Sequence, residues 1–454
     1  KNGKRSSFSG KLGYVLAAAG ASVGLGNIWR FPYLAAKYGG GIFLIIYIVL
    51  ALTFGYTMIV AETAIGRMTR KSPVGAFKSF GKKKWLSFGG WINAVIPVLI
   101  VPYYSVIGGW VIKYLVEYFR GNAKQLAEDG YFTDFISNGV STELCFMAFC
   151  AFTLIIIFAG VQNGIERVSK IMMPILIVLS VIIAVYSVTR PGALAGVKYF
   201  LVPNVKNFSW MTVVSAMGQM FYSLSIAMGI LITFGSYMKK DTAIEDSTRN
   251  VEVFDTGIAI MAGLMIIPAV FAFSGGDPNT LQAGPSLMFI TIPKVFQNMG
   301  FGTVIGIVFF LLVLFAAVTS SIALTESAVS TFEDELGWGR KKATVLVGVI
   351  MLALGSLSSL GYGPLAGIKI IGMQFLDLFD FLTNSVMMPI AALLTSLLVS
   401  RVVGIDKIED EIIHGESAFR RKKVFVVMIK YLCPVFAIII LLSSVANALG
   451  WIKM

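Results

Sequence analysis

An apolar segment near the start of the chain is interrupted at its middle by small and polar residues. The run over residues 12–36 contains the sequence ASVGLGN at 21–27, and Arg30 follows while the run is still apolar. Lipid offers backbone amides no hydrogen-bond partner, so a membrane helix loosens at mid-depth only where the freed groups line a cavity. Two glycines and an asparagine at such a break predict a site for something small and charged.

A second interruption of the same kind lies five apolar segments later. The sequence GQMFYSLSIAMG at 218–229 places serines, an alanine and glycines where a membrane helix would carry bulky apolar residues. Two segments broken alike predict two five-helix repeats, at about 12–188 and 210–400. Inverted repeats whose first helices are broken hold a substrate between them, near the middle of the bilayer.

The composition identifies the class of protein that contains these breaks. The chain has 454 residues, of which 57% are hydrophobic and 13% charged, so we predict an all-α polytopic membrane protein. Apolar runs of about 20 residues are long enough to cross a bilayer. We predict eleven such transmembrane helices, at 12–38, 42–67, 88–120, 142–160, 165–188, 210–237, 251–274, 301–332, 343–361, 374–400 and 423–450.

The connections between these spans differ in length and charge. The longer ones on the outer side are 121–141, 190–209 and 275–299, and short apolar pieces in the last predict a helical hairpin that dips back. Lys and Arg are concentrated in alternate loops, which is the positive-inside pattern. This pattern predicts a cytoplasmic N-terminus and, with an odd number of spans, a C-terminus outside. It argues against the alternative that the net charge of +13 serves nucleic acid.

Several short motifs match one family. They are GLGNIWRFPY at 24–33, GGG at 39–41, GIER at 164–167, Gln219 with SLS at 223–225, and TSSI at 319–322. With them the chain resembles the neurotransmitter:sodium symporters, of the bacterial amino-acid-transporting kind with the leucine-transporter-like fold. The resemblance implies a transporter core over 1–400, followed by a cytoplasmic loop and the eleventh helix in 401–454. It also implies sodium-coupled import by alternating access, across the cell membrane.

The resemblance implies two sodium sites, and sodium is a hard cation that prefers oxygen ligands. The first sodium ion would be held by the Ser22 carbonyl and the side chains of Asn27, Ser223 and Asp255, with the carboxylate of the substrate completing the shell. The second would be held by the carbonyls of Gly20, Val23 and Ala316 and the hydroxyls of Thr319 and Ser320.

The same resemblance implies how the head group of an amino acid would bind. Backbone amides at a helix N-terminus attract an anion, so the amides of Leu25 and Gly26, with the Tyr104 hydroxyl, would bind a carboxylate. Carbonyls around Ser22, Tyr222 and Ser225 would bind the ammonium group. Relatives that carry monoamines have Asp where this chain has Gly24, so the substrate is expected to bring its own carboxylate.

The expected side-chain pocket is mostly apolar. It comprises Ile100, Tyr104, Ile107, Tyr222, Ser225, Met228, Ser320 and Leu324, and Ser223 is a further residue expected to contact the substrate. This set predicts a hydrophobic or aromatic amino acid as substrate.

Charged residues inside apolar segments are costly and are therefore candidates for function. Arg30 and Asp380 match the outer gate of the family, which would close above the substrate with two tyrosines. Arg5 and Asp334 match an inner gate. Glu62 matches an acidic position of the family, and the sequence leaves open whether it is a structural partner or a source of charge.

Asp255 departs from the family pattern, since many relatives have Asn there. Chloride-dependent relatives also have Ser where this chain has Ala259, although Tyr47, Gln219 and Ser223 of the chloride site are retained. A fixed carboxylate could supply the negative charge that chloride otherwise provides near the two sodium ions, so we expect transport that is independent of chloride. Protonation of Asp255 after sodium release, which would give proton counter-transport, is a further hypothesis.

Other functions remain as alternatives. A membrane enzyme would need a nucleophile with a base, a metal cluster or a cofactor motif, and none is found at membrane depth in the sequence. A non-transporting amino-acid sensor or a channel on the same fold is the second possibility, and a different sodium-coupled family with the same repeats is the third. The expected partners are a hydrophobic amino acid and the lipid bilayer, with the chain as a monomer or weak homodimer.

Overall fold

The computed structural model describes residues 5–277, 281 and 284–452, and these fold into long helices with no β-strand among them. The helices used below are α1 (Lys11–Ser22), α2 (Gly26–Lys37), α3 (Gly41–Thr69), α4 (Lys84–Phe119), α5 (Gly139–Phe158), α6 (Val161–Val188), α7 (Trp210–Ser223), α8 (Ile230–Ser236), α9 (Ile244–Ser274), α10 (Gly302–Leu336), α11 (Arg340–Leu360), α12 (Phe375–Val403), α13 (Ile405–Ile412) and α14 (Lys422–Ala448).

Each of the eleven predicted spans contains either one long helix or one broken pair. In the described part of the chain, nine helices are long and apolar enough to cross a membrane, and α1 with α2 forms a tenth span bent by 55°. The pair α7 and α8 is separated by residues 224–229. The exact number of crossings stays a prediction. We call the end at which α1 begins the inner side, and the opposite end the outer side.

The outward faces of the peripheral helices are apolar. Ile155 on α5, Val178 on α6, Val349 on α11 and Leu442 on α14 are each more than half exposed. Exposing so large an apolar surface to water is unfavourable, whereas contact with lipid tails is not. The helices therefore present a hydrocarbon-compatible surface around a packed interior.

The first break has no room for a side chain at position 24. Helix α1 ends at Ser22, and Val23 has the non-helical angles φ −83° and ψ 88°. A Cβ atom on Gly24 would lie 2.7 Å from the Ser320 hydroxyl oxygen. Glycine at this position lets the loosened backbone approach α10 directly.

The second break has a left-handed backbone. Ser225, Ala227 and Gly229 all have positive φ angles, of 57°, 61° and 75°. Only glycine adopts such angles without strain, so the other two residues must be held by their surroundings. Residues 224–229 therefore form a fixed, non-helical linker between α7 and α8, which we call the α7–α8 linker.

The two breaks face each other in the core. The Ser225 hydroxyl donates a hydrogen bond of 2.9 Å to the carbonyl of Ala21. Helices α4 and α10 pack lengthwise against each other, and α10 also packs against α1. The loosened backbone is thus enclosed by unbroken helices on which side chains can be positioned.

The hairpin predicted over 275–299 lies partly outside the described residues. Its described part contains the helical turns Leu287–Thr291 and Ile292–Asn298. Phe289 is buried there between Trp110, Tyr114 and Phe132, so this stretch packs against the outer half of α4.

Candidate functional site

A small cavity of about 40 Å³ lies between the two helix breaks. Every residue predicted to contact substrate lines it, apart from Ile107, which lies further out. The lining comprises Ala21, Ser22, Gly24, Leu25, Gly26, Asn27, Ile100, Tyr104, Tyr222, Ser223, Ser225, Met228, Ile230, Ser320 and Leu324. Sequence reasoning did not assign Ala21 or Ile230 to the pocket, because both belong to helix ends whose orientation depends on the breaks.

One wall of this cavity is polar and closely packed. The Leu25 amide donates to the Tyr104 hydroxyl over 3.4 Å. A Cβ atom on Gly26 would lie 2.7 Å from the ring of Tyr222. The wall therefore offers backbone amides and a hydroxyl and has no room for a larger residue at position 24 or 26.

A first cluster of oxygen atoms surrounds Asp255, which is fully buried. One carboxylate oxygen accepts hydrogen bonds from the Ser223 hydroxyl at 2.5 Å and the Asn27 side-chain amide at 3.3 Å. The other oxygen accepts from the Tyr47 hydroxyl at 2.5 Å. The Ser223 hydroxyl also lies 2.9 Å from the Asn27 side-chain oxygen. Three predicted ligands of the first sodium ion are thus in mutual contact, and Ser22 lies beside them in the cavity wall.

A second cluster lies where α1 meets α10. The Ser320 hydroxyl is within 3.3 Å of three carbonyl oxygens, those of Gly20, Ala21 and Val23. The Thr319 hydroxyl donates to the Ala316 carbonyl at 3.1 Å. The five predicted ligands of the second sodium ion are brought together, and the Ala21 carbonyl is an additional oxygen atom there.

The donor atoms of both clusters are carboxylate, amide, hydroxyl and carbonyl oxygens. Hard cations such as sodium prefer oxygen ligands, so both clusters suit sodium. One further oxygen, Oε1 of Gln219, is buried near the first cluster and has no hydrogen-bond partner among the residues that the structure describes. Its Nε2 group lies 3.5 Å from the Gly26 carbonyl.

Glu62 has a definite structural partner. Its two carboxylate oxygens lie 3.1 Å and 3.3 Å from the backbone amide of Ala227, and the side chain is fully buried. Because Ala227 has a left-handed backbone, this contact holds the α7–α8 linker in place. Of the two roles that the sequence left open, the structure shows a structural one.

The predicted outer-gate residues lie above the cavity but apart from each other. Among the described contacts, Arg30 and Asp380 form no ion pair, although both line an outer cavity of about 380 Å³. The Arg30 guanidinium lies over the Tyr222 ring, 5.2 Å from its centre. Asp380 accepts hydrogen bonds from Asn384 and from Tyr103, the latter at 3.2 Å.

Tyr103 and Asn384 were missed as neighbours of this acid. Tyr103 directly precedes Tyr104 on α4, and the sequence does not show which of the two tyrosines faces the central cavity.

The predicted inner-gate residues are in contact. Arg5 pairs with Asp334 at 2.5 Å and donates to the hydroxyls of Ser236 and Ser330 at 2.8 Å and 3.0 Å. Phe8 is buried, and its amide donates to the Tyr237 carbonyl. The inner side is therefore closed, while the outer side has an open cavity.

Comparisons with known proteins point to one family. The sequence model described as "Sodium:neurotransmitter symporter family" matches residues 5–128 and 116–451. The "Uncharacterized sodium-dependent transporter YhdH" of Bacillus subtilis (strain 168) is 34% identical over 96% of this chain and 97% of its own length. The human "Sodium- and chloride-dependent GABA transporter 2" is 26% identical over 90% of this chain and 75% of its own.

A solved structure is also similar over nearly the whole chain. The crystal structure of MhsT in complex with L-phenylalanine superposes with a TM-score of 0.86 at 34% identity, covering 97% of this chain and 100% of that one. The all-helical architecture is therefore the leucine-transporter-like fold, and the function is sodium-dependent transport rather than catalysis. This chain belongs to the sodium:neurotransmitter symporter family, as a sodium-dependent, multi-pass membrane transporter.

Proposed function

We propose that this chain imports a hydrophobic or aromatic L-amino acid together with two sodium ions, without chloride. The observation that carries the proposal is the central cavity, which has an oxygen cluster on each of two sides and no side chain at Gly24. A zwitterion placed there would meet the amides of Leu25 and Gly26 with its carboxylate. The ammonium group would meet carbonyls of the loosened backbone.

The apolar part of the lining supports the substrate class. Ile100, Met228, Ile230 and Leu324 contribute aliphatic or thioether surface to the cavity, and none of its lining residues has a basic or acidic side chain. A charged substrate side chain would be left unpaired there at a large cost. MhsT, the similar transporter, was crystallised with L-phenylalanine.

The two oxygen clusters support the stoichiometry. Asn27, Ser223 and Asp255 would hold the first sodium ion, and the substrate carboxylate would complete its shell. Thr319, Ser320 and the freed carbonyls of α1 would hold the second. Both clusters include atoms of the broken helices, so filling them would tie the binding of sodium to the closure of the site.

Two ions also supply enough driving force for concentration. One sodium ion crossing 100 mV releases about 2.3 kcal/mol, and a tenfold gradient adds about 1.4 kcal/mol. Two ions therefore release roughly 7 kcal/mol, which concentrates a zwitterion by about five orders of magnitude. We propose an N-terminus in the cytoplasm, so that the open outer cavity faces the source of sodium.

Uptake by proteoliposomes tests this function. Vesicles with an imposed inward sodium gradient should accumulate a labelled amino acid, and a competition screen of the twenty amino acids should favour Phe, Trp, Leu, Ile, Val or Met. Accumulation above the outside concentration excludes a channel and a sensor. Binding without accumulation would contradict the proposal, as would inhibition mainly by charged amino acids.

A further inference from the structure

Three buried carboxylates lie where the inner ends of α3 and α9 meet residues 405–421. This stretch links α12 to α14, contains α13, and is here called the connector. Glu245 and Glu252 on α9 and Glu411 on α13 are each no more than 5% exposed. A buried carboxylate is stable only when its charge is fully compensated by hydrogen bonds or ion pairs. The partners of these three groups therefore determine which elements must stay together.

Glu411 of the connector is bound by α3 and by the turn between α8 and α9. Arg67 on α3 is fully buried and donates to a Glu411 carboxylate oxygen at 2.8 Å and to the Glu411 carbonyl at 2.7 Å. The same guanidinium donates to the carbonyls of Lys239 and Thr242 at 3.1 Å and 2.5 Å. Lys240 completes the charge balance with contacts of 2.9 Å to both carboxylate oxygens of Glu411.

Glu245 and Glu252 make the reverse connection, from α9 to the connector. Glu245 accepts hydrogen bonds from the backbone amides of Arg420 and Arg421 at 2.7 Å and 3.2 Å. The Arg421 guanidinium donates to both carboxylate oxygens of Glu252, at 3.0 Å and 3.3 Å. It also lies 3.7 Å from the centre of the Tyr56 ring on α3. The connector is thus joined to α3 and α9 at several separate points.

We call the contacts of the connector with α3 and α9 the joint, and its central pair, Arg67 and Glu411, is more buried than the inner-gate pair, at 0% and 5% exposed. Arg5 and Asp334 are each 21% exposed, so water can replace their contact when the inner side opens. At the joint, separation would remove the Glu411 carboxylate from the buried Arg67 and the donors of Arg420 and Arg421 from Glu245 and Glu252, and breaking such buried charge pairs is strongly destabilising. A contact that must break in every transport cycle is expected to resemble the gate pair and not the joint.

The chain on both sides of the connector has irregular backbone. Gly404, with φ +87°, directly precedes it, and the π-helical turn Leu398–Val403 precedes that glycine. Beyond it, α14 contains the π-helical turn Met428–Leu432, followed by Pro434. Helices bend at π-turns and at proline, so the connector can change its angle to α12 and α14 without losing its own contacts.

We propose that the connector moves as one rigid body with the inner ends of α3 and α9 during transport, and that Gly404 and the two π-helical turns bend. The inference rests on the proposed function and on the alternating access that the family resemblance implies. In that mechanism one group of helices (α1, α2, α3, α7, α8 and α9) rocks against a second group (α4, α5, α10 and α11). The connector would then be a moving element of the transporter, although it is only the loop between the peripheral helices α12 and α14.

Distances between spin labels test the motion directly. Ser417 of the connector and Arg249 of α9 are exposed and line one inner cleft, while Lys341 lies at the inner end of α11. The distance between labels at Ser417→Cys and Arg249→Cys should be the same in a sodium buffer with amino acid and in a potassium buffer without sodium. The distances from position 341 to positions 417 and 249 should both change between the two buffers, and in the same direction. A shift within the 417–249 pair while the 417–341 distance stays constant would overturn the proposal.

Cross-linking gives a second test that separates the two proposals. A flexible bismaleimide joining Ser417→Cys to Arg249→Cys should leave uptake unchanged, whereas joining Arg249→Cys to Lys341→Cys should abolish it. Loss of uptake only after the 417–249 cross-link would show that the connector must separate from α9, and the inference would be wrong. Loss of uptake in both double variants before cross-linker is added, with wild-type protein also inactive, would instead contradict the proposed function.

Discussion

At the scale of single residues, the missing side chain at position 24 has the largest expected effect. Gly24→Ala should lower amino-acid uptake more than tenfold, because the new methyl group would lie 2.7 Å from the Ser320 hydroxyl and 3.1 Å from that of Tyr104. Gly257→Ala on α9 is the matched control, since a Cβ there has nothing within 4 Å. Initial uptake rates of both variants check the prediction, and equal rates would contradict it.

Asp255 carries the expectation about chloride. The double variant Asp255→Asn/Ala259→Ser loses the fixed negative charge beside the first oxygen cluster and gains the hydroxyl of chloride-dependent relatives. We expect its sodium-driven uptake to rise about tenfold when gluconate is replaced by chloride, a change that corresponds to about 1.4 kcal/mol.

Ala259→Ser alone keeps the carboxylate and serves as the control. Its sodium-driven uptake should be the same with chloride and with gluconate. A double variant whose uptake is also indifferent to chloride would show that Asp255 does not replace the anion.

The sequence predicted the contents of the pocket better than its surroundings. Residues such as Asn27 and Ser320 lie in motifs whose order along the chain is enough to identify them. Tyr103 and Asn384 could not be assigned, because their role depends on the rotation of α4 and α12 about their axes. The separation of Arg30 from Asp380 also could not be predicted, since it depends on the conformation in which the outer cavity is open.

At the scale of helices and loops, the two breaks were predictable and the joint around the connector was not. Glycines and serines in an apolar run are visible in the sequence, whereas the pairing of Arg67 with Glu411 joins residues that are 344 positions apart. A charged loop such as 405–421 is normally expected to be solvated. Only packing shows that three carboxylates near it are buried.

Neutralising Glu411 tests the strength of this joint. Glu411→Gln leaves the buried Arg67 without its carboxylate, so we expect the protein to lose about 3 kcal/mol of stability and several degrees in melting temperature. Asp410→Asn makes the same chemical change one residue earlier on an exposed side chain and should change little. Thermal unfolding of the two purified variants in detergent gives the comparison. Equal melting temperatures would mean that Glu411 contributes no more than a surface charge.

At the scale of the whole molecule, the two oxygen clusters predict the charge carried in each cycle. If two sodium ions move with each zwitterion, the net charge moved per cycle is +2. The flux ratio of radioactive sodium to labelled amino acid should then be two. Thr319→Ala removes a hydroxyl of the second cluster and should raise the sodium concentration for half-maximal uptake about tenfold. Thr325→Ala, which loses a similar intrahelical bond on α10, is the control. A wild-type flux ratio of one would contradict the two-ion mechanism.

The size of the central cavity has a consequence for kinetics. Its 40 Å³ is well below the roughly 150 Å³ of an apolar cavity that binds benzene. An arriving amino acid must therefore displace side chains of the lining, and the flexible Met228 is the one that moves most easily. Bulky amino acids would then bind slowly and dissociate slowly. Competing substrates would differ more in their residence times than in their equilibrium affinities.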